Sequence, residues 1–358
     1  MPSLKEIKGR INSISSTLAI TSAMKMVAAA KLQKAQMAIQ NMLPYERRLH
    51  SMLIDLMGAM NISAAASEDG SVRGSGSAER GFDQSGDRLS LSNRHDLAGM
   101  DGAYSLMAQR EVRKVAIVAF ASNSSLCGAF NSNVIREATA VINEYRASGL
   151  GDADITVYSV GRKMAEAMKK LGFPSPADFT KMSDSPSYEA ASALAQELLD
   201  GFVSGRFDKV ELVYNHYKST SSQPTTRQTY LPLSLADATA DLQAGKITDS
   251  ASETDTNRGA DPVGAPVVRQ GSPTTEDLIV EPSKEALIAT LLPKVIRLRI
   301  FTTLLDSAAA EHAARTVAMQ LATDNGNDLL QELTLEYNKG RQQKITSEIL
   351  DLVGGSMQ

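Results

Sequence analysis

A single cysteine, Cys127, stands among 358 residues, so the chain can close no internal disulfide. Tryptophan is absent, and Phe and Tyr together make up the 5% aromatic content. A β-sandwich would want more large rings, whereas 15 methionines suit helix–helix packing. The four histidines are scattered and offer no zinc-ligand spacing. No uninterrupted apolar run reaches about 18 residues, so no transmembrane helix is expected. The opening Met1-Pro2-Ser3-Leu4-Lys5 lacks the apolar stretch of a secretory signal, and an intracellular chain is expected. There is no Gly-x-x-x-x-Gly-Lys-[Ser/Thr] and no Gly-x-Gly-x-x-Gly after a strand, so nucleotide catalysis by the chain itself is not expected. A net charge of −4 argues against nucleic-acid binding through global charge. What remains, 42% hydrophobic and 22% charged residues, is ordinary globular usage with enough length for one large domain or two modest ones.

The charge is unevenly placed. Residues 1–48 carry eight Lys and Arg against Glu6 and Glu46, a net of +6, which leaves −10 for the rest. A basic segment on an acidic body suggests a negatively charged partner, and equally fits a solvated helix face. This segment opens with a capping-box pattern, Ser3-Leu4-Lys5-Glu6. Leu4, Ile7, Ile11, Ile14, Leu18, Thr21, Lys25, Ala28, Leu32, Ala35, Ile39 and Met42 then recur at steps of three and four. A period of 3.5 sustained this long predicts a coiled-coil helix, about 60 Å long up to Leu43. Pro44 is expected to kink or interrupt it, with a second stripe resuming through Leu49, Leu53 and Leu56.

Such a stripe needs a partner, and the C-terminal segment supplies one. From near Ser283 the positions Leu291, Lys294, Leu298, Phe301, Leu305, Ala308, His312, Arg315, Met319 and Ala322 keep the same spacing. Pro293 is expected to bend this helix and Gly326 to loosen it. The pattern continues through Leu329, Leu333, Tyr337, Ile345, Ile349 and Leu352 to Gly354-Gly355. An antiparallel pair is the simplest arrangement; a homodimeric coiled coil at each end is the competing one.

The middle of the chain changes period. Strands are predicted at 112–120, 155–160, 210–214 and 226–233, with helices at 129–146, 162–171 and from a Ser185-Pro186 cap to Val203. The alternation implies a small α/β layer with a mostly parallel sheet. The expected organisation is therefore a coiled-coil helix over 1–60, a central α/β domain over 110–238 and a coiled-coil helix over 283–355. Residues 67–103 and 239–277 lack periodicity, carry seven acids each against four and three bases, and are expected to be flexible acidic inserts.

The most enzyme-like feature is Ser124-Ser125-Leu126-Cys127-Gly128 between a strand and a helix. A thiolate at a helix N-terminus could be a nucleophile, with His216 as the base within the α/β segment. The plainer reading is a small buried cysteine beside a turn glycine. Thr21 and Lys25 interrupt one seam, and His312 and Arg315 the other, where charge is costly unless paired. Each pair would either reach solvent or meet an external partner.

The text Ile20-Thr21-Ser22-Ala23-Met24-Lys25-Met26-Val27-Ala28-Ala29-Ala30-Lys31 resembles the N-terminal helix of the γ subunits of F-type ATP synthases. Ala314-Arg315-Thr316-Val317-Ala318-Met319, Ala322-Thr323-Asp324-Asn325, Tyr337-Asn338-Lys339-Gly340-Arg341-Gln342 and Ile345-Thr346-Ser347-Glu348 are similar to its C-terminal helix. Leu126-Cys127-Gly128 with Asn131 is similar to its loop after the first central strand. The resemblance implies a non-catalytic rotor that couples proton flow through a membrane ring to conformational cycling of catalytic sites. It needs no cofactor or metal, and no nucleic acid. The helical rod would lie inside a hexamer of α and β subunits, and the α/β base against the ε subunit and the c-ring, peripheral to the cytoplasmic face of the inner membrane. By the same resemblance Arg315, Gln342 and Thr346 would touch loops of the surrounding subunits. Met24 and Lys25 would lie near an acidic β loop, with the break at Thr21 and Lys25 facing outward. Ser124-Ser125 stand where the family usually has Arg-Gly, which puts any role of that arginine in doubt. Readings from other classes are a coiled-coil tether with an α/β binding head, and a cysteine hydrolase using Cys127.

Overall fold

The computed structural model of the chain describes residues 3–59, 106, 109–233 and 284–356. The two acidic segments expected to be inserts, 67–103 and 239–277, lie outside the described residues.

Two helices form a rod. Helix α1 runs Leu4–Ala59 and helix α6 Lys284–Ser356, about 84 and 110 Å long at 1.5 Å per residue. The Glu6 amide donates to the Ser3 hydroxyl at 3.3 Å, closing one half of the capping box, while the Glu6 carboxylate turns to Arg10 at 3.0 Å. All twelve heptad positions of α1 are buried or half-buried, and most residues between them are exposed. The pairing is antiparallel within one chain. Leu4 sits opposite Gly340, Leu18 opposite Gly326, Thr21 opposite Thr323 and Leu32 against Ala309 and Ala313. Helical pairing runs through both Pro44 and Pro293 without a break, since one proline deletes one backbone bond from an otherwise continuous ladder.

Two details of the seam differ from expectation. Gly326 does not loosen α6; it seats Leu18, whose Cδ2 lies 2.6 Å from where a glycine Cβ would project. The outer part of the α6 stripe then follows Gly326, Leu330, Leu333, Tyr337 and Gly340, leaving Leu329 exposed. Thr21 and Lys25 face the partner helix rather than outward: the Thr21 and Thr323 hydroxyls lie 3.1 Å apart, and Lys25 Nζ donates to Gln320 Oε1 at 2.7 Å. Polar side chains can occupy a seam when each meets a polar partner across it.

The base is a four-stranded sheet of β1 (Val115–Phe120), β2 (Ile155–Val160), β3 (Lys209–Asn215) and β4 (Thr225–Leu231). Their spatial order is β2-β1-β3-β4, with β1 parallel to both neighbours and β4 antiparallel. Continuous burial along β1 reflects helices on both faces. Helices α2 (Phe130–Ala147) and α3 (Arg162–Lys170) cover Val115, Ile117 and Ala119. Helix α5 (Tyr188–Val203) and the first turns of α6 cover Ala116, Val118 and Phe120. A short helix α4 (Thr180–Asp184) precedes α5, and Ser187, not Ser185, caps α5 by accepting from the Ala190 amide at 3.2 Å. Leu292, Val295, Ile296, Ile300 and Leu304 of α6 belong to the sheet's own core, so the rod is rooted in the base.

Glu211 is the one charged side chain in the middle of β3, and it is fully enclosed by partners. Arg227 of β4 binds it through Nε and Nη2 at 2.7 and 3.1 Å, Lys209 at 2.7 Å and the Tyr145 hydroxyl at 2.7 Å. Burial alone would raise its carboxyl pKa, but those bonds outweigh it and hold the group below the usual range. Arg227 also pairs with Glu144. The network ties the antiparallel edge strand to α2.

Candidate functional site

In open α/β sheets a ligand sits beyond the carboxyl ends of the parallel strands, where the strand order reverses. Here that point lies between β1 and β3, bordered by residues 121–129 and by His216-Tyr217. A rod helix fills it. Cys127, Phe130 and Ala310 form one buried cluster with Tyr217 and Ala314 packed against it.

The 121–129 loop is pinned from within. The Ser122 amide donates to Asn131 Oδ1 at 3.0 Å, and Asn131 Nδ2 donates to Cys127 Sγ at 3.1 Å. Gly128 adopts φ +58°, and a Cβ there would lie 3.8 Å from Ala318 Cβ, so the turn and the rod meet closely. Cys127 is 1% exposed. His216, the base that a hydrolase would need, instead places Nδ1 2.6 Å from Asp306 Oδ2. The plainer reading of Cys127 therefore holds: it is a buried packing residue whose sulfur accepts from Asn131, and the crevice that would expose it is occupied.

Charges line the same junction. Arg315 is buried, with Nη1 donating to Glu311 Oε1 and Nη2 to Ser124 Oγ, both at 2.7 Å. Its guanidinium thus bridges the rod and the loop after β1 within the chain. Ser124 of the loop after β1 accepts from it. Burial raises the Glu311 carboxyl pKa against the opposing pull of Arg315. Next to it, burial first and then the Arg315 and Lys31 charges push the His312 imidazole down to about 4. Across the junction the Asp306 hydrogen bond raises His216, against burial. Asp306 Oδ1 accepts from the Tyr217 amide at 2.9 Å, and Gln36 Nε2 of α1 donates to the Tyr217 hydroxyl at 2.6 Å.

The residues singled out for outside contact do not form one site. Arg315 lies in the socket, whereas Gln342 lies about 40 Å further along α6. Gln342 and Thr346 are exposed on one face of the rod's tip, the Thr346 hydroxyl donating to the Gln342 carbonyl at 2.9 Å. Residues 341–350 are all exposed because α1 starts at Leu4, opposite Gly340. Met24 is half-buried beside the seam and Lys25 spans it. Sequence reasoning missed Asp306, Tyr217 and Gln36. The signal for Asp306 was available, a lone acid in the apolar run Leu304-Leu305-Asp306-Ser307-Ala308.

A long antiparallel two-helix rod rooted in a small α/β base, with the rod filling the crevice at the strand ends, defines the class of architecture. The family model described as ATP synthase matches residues 3–357. The ATP synthase gamma chain of Phocaeicola vulgatus is 47% identical over 357 residues, and that of Bacteroides thetaiotaomicron 45% over 358, each covering 100% of both chains. These alignments span 67–103 and 239–277 as well. In fold, the chain is similar to one from the Euglena gracilis mitochondrial ATP synthase in its OSCP/F1/c-ring assembly, with TM-score 0.52 at 19% identity, covering 99% of this chain and 93% of that one. The chain belongs to the ATP synthase γ family, a non-catalytic subunit of that complex. Among the described residues no helix is long and apolar enough to cross a membrane, which fits a peripheral place in a membrane-associated complex.

Proposed function

We propose that the chain is the central shaft of an ATP synthase, with α6 and α1 as the axle inside a ring of α and β subunits. The base would meet the ε subunit and the c-ring at the cytoplasmic face of the inner membrane. A shaft works by offering each surrounding subunit different contacts at each angle, so that the subunit's preferred conformation follows rotation. The observation that carries this reading is the exposed end of α6. Sixteen residues, 341–356, extend beyond the start of α1, with Ile345 and Ile349 about half exposed and Leu352 74% exposed. An apolar tip of this kind asks for a surrounding surface.

Gln342 and Thr346 on that tip and Arg315 at the socket are the residues assigned to subunit contact, and Met24, beside the seam, and Lys25, which spans it, would lie near an acidic loop lower on the rod. The basic α1 surface, with Lys5, Lys8, Arg10, Lys31 and Lys34 exposed, provides the electrostatic match. Two measurements test the reading. A tagged chain purified from detergent-solubilised membranes should bring down α, β and ε subunits. Gln342→Ala should assemble poorly or lower ATP synthesis relative to hydrolysis while the purified chain keeps its helicity. A chain that elutes alone, or normal coupled synthesis with Gln342→Ala, would count against the assignment.

A further inference from the structure

One loop touches every part of the molecule that must turn together. Leaving β3, Asn215 donates from Nδ2 to the Phe130 carbonyl at the start of α2 at 3.0 Å and accepts from Thr225 Oγ1 at 2.7 Å. The next residue, His216, places its ring nitrogen 2.6 Å from Asp306 of α6. Tyr217 gives its backbone amide to the other Asp306 oxygen, lays its ring against Leu32, Ala309 and Ala313, and accepts at its hydroxyl from Gln36 of α1. The hairpin behind it is knitted shut: the His216 amide donates to the Pro224 carbonyl at 2.9 Å, and Gln223 Nε2 donates to the Ser219 and Thr220 carbonyls.

The placement matters mechanically. The apolar root of α6 in the sheet's core ends at Leu304. Asp306 begins the next stretch, where the rod emerges from the base, and α1 touches the base there through Gln36. Hydrogen bonds have preferred directions, whereas apolar contacts resist sliding and twisting only weakly. We propose that His216 and Tyr217 form a clasp, anchored on Asp306 and closed on Gln36, that holds both rod helices at a fixed angle to the base and so carries torque between them.

This proposal rests on the shaft reading. The test uses the assembled ATP synthase in inverted membrane vesicles, with ATP hydrolysis, ATP-driven proton uptake and amide exchange measured on the same preparation. Asp306→Ala should raise the exchange rate of the Tyr217 amide at least about tenfold, the factor that a hydrogen bond to a charged group confers. Exchange around 32–36 of α1 should rise with it, and proton uptake per ATP hydrolysed should fall while hydrolysis stays constant. Asp306→Asn, which keeps an acceptor for the Tyr217 amide but loses the ion pair, should fall between. Tyr217→Phe should release 32–36 alone. Unchanged exchange and uptake in Asp306→Ala would overturn the clasp. So would an equal loss of assembly, hydrolysis and uptake in both Asp306 variants, which would mark Asp306 as a folding residue only. Failure of the shaft reading is distinct: the unmodified chain would then not co-isolate with the ATPase.

Discussion

Two glycines on the rod give opposite expectations for the same substitution. Gly9 lies on the exposed side of α1, and a Cβ there meets nothing within 4 Å. Gly9→Ala should stabilise the helix by about 1 kcal/mol, the ordinary propensity difference between the two residues. Gly326→Ala gains the same propensity, but its Cβ would lie 2.6 Å from Leu18 Cδ2 and 3.2 Å from Leu18 Cγ. Leu18 must then leave its hole, and displacing a packed side chain costs about 1–3 kcal/mol. The net expectation is a loss of up to about 2 kcal/mol. The two variants should thus separate by roughly 2 kcal/mol, or about 4–8 °C at about 2–4 °C per kcal/mol, an upper bound for a chain of this size. Thermal unfolding of the purified chains followed by helical circular dichroism reads this directly. Adding Leu18→Ala to Gly326→Ala should return much of the loss, because the two side chains compete for one space. If Gly326→Ala proved as stabilising as Gly9→Ala, close interlocking of the seam at Leu18 would be refuted.

Arg315→Met should destabilise the chain by about 3–5 kcal/mol by leaving the Glu311 carboxylate buried without a partner, and the double variant with Glu311→Gln should recover most of that; urea unfolding measures both. Ser124→Ala should cost about 1.5 kcal/mol in the same assay, the value of a hydrogen bond to a charged group. The folded chain holds His312 neutral down to about 4, whereas the unfolded chain protonates it near 6.5. Its contribution to stability is therefore full above about 6.5 and is lost as pH falls towards about 4; His312→Leu should remove this part of the pH profile of the melting temperature. Cys127 should resist alkylation in the folded chain and react after denaturation, and Cys127→Ala should leave ATP-driven proton uptake intact, since its sulfur is buried as packing.

How much of this could be read from the residues depended on the range of the interaction. The twelve heptad positions of α1 are legible because helical periodicity is local: each side chain's direction follows from its position along one helix. The boundaries of β2 fell where the apolar run predicted, and those of the other strands within a few residues, for the same reason. Local logic also gave the plain reading of Cys127 as an alternative, and it supplied the motifs that mark the ATP synthase γ family. It failed where a decision needs a distant partner. Nothing near Lys25 says that Gln320 waits across the seam, nothing near Gly326 says that Leu18 fills the space above it, and nothing near Arg315 says that Ser124 will accept its hydrogen bond.

Sequence alone therefore determined that there is a rod, that a small, mostly parallel sheet stands between its two helices, and to which family the chain belongs. Tertiary structure decided what the rod does to the sheet. It closed the crevice that would otherwise have been a ligand site, turned a would-be nucleophile into packing, and drew Asp306, Tyr217 and Gln36 together from places as much as 270 residues apart. The physical reason is that burial and hydrogen-bond satisfaction are properties of neighbours in space, and a one-dimensional pattern encodes only the faces that seek them.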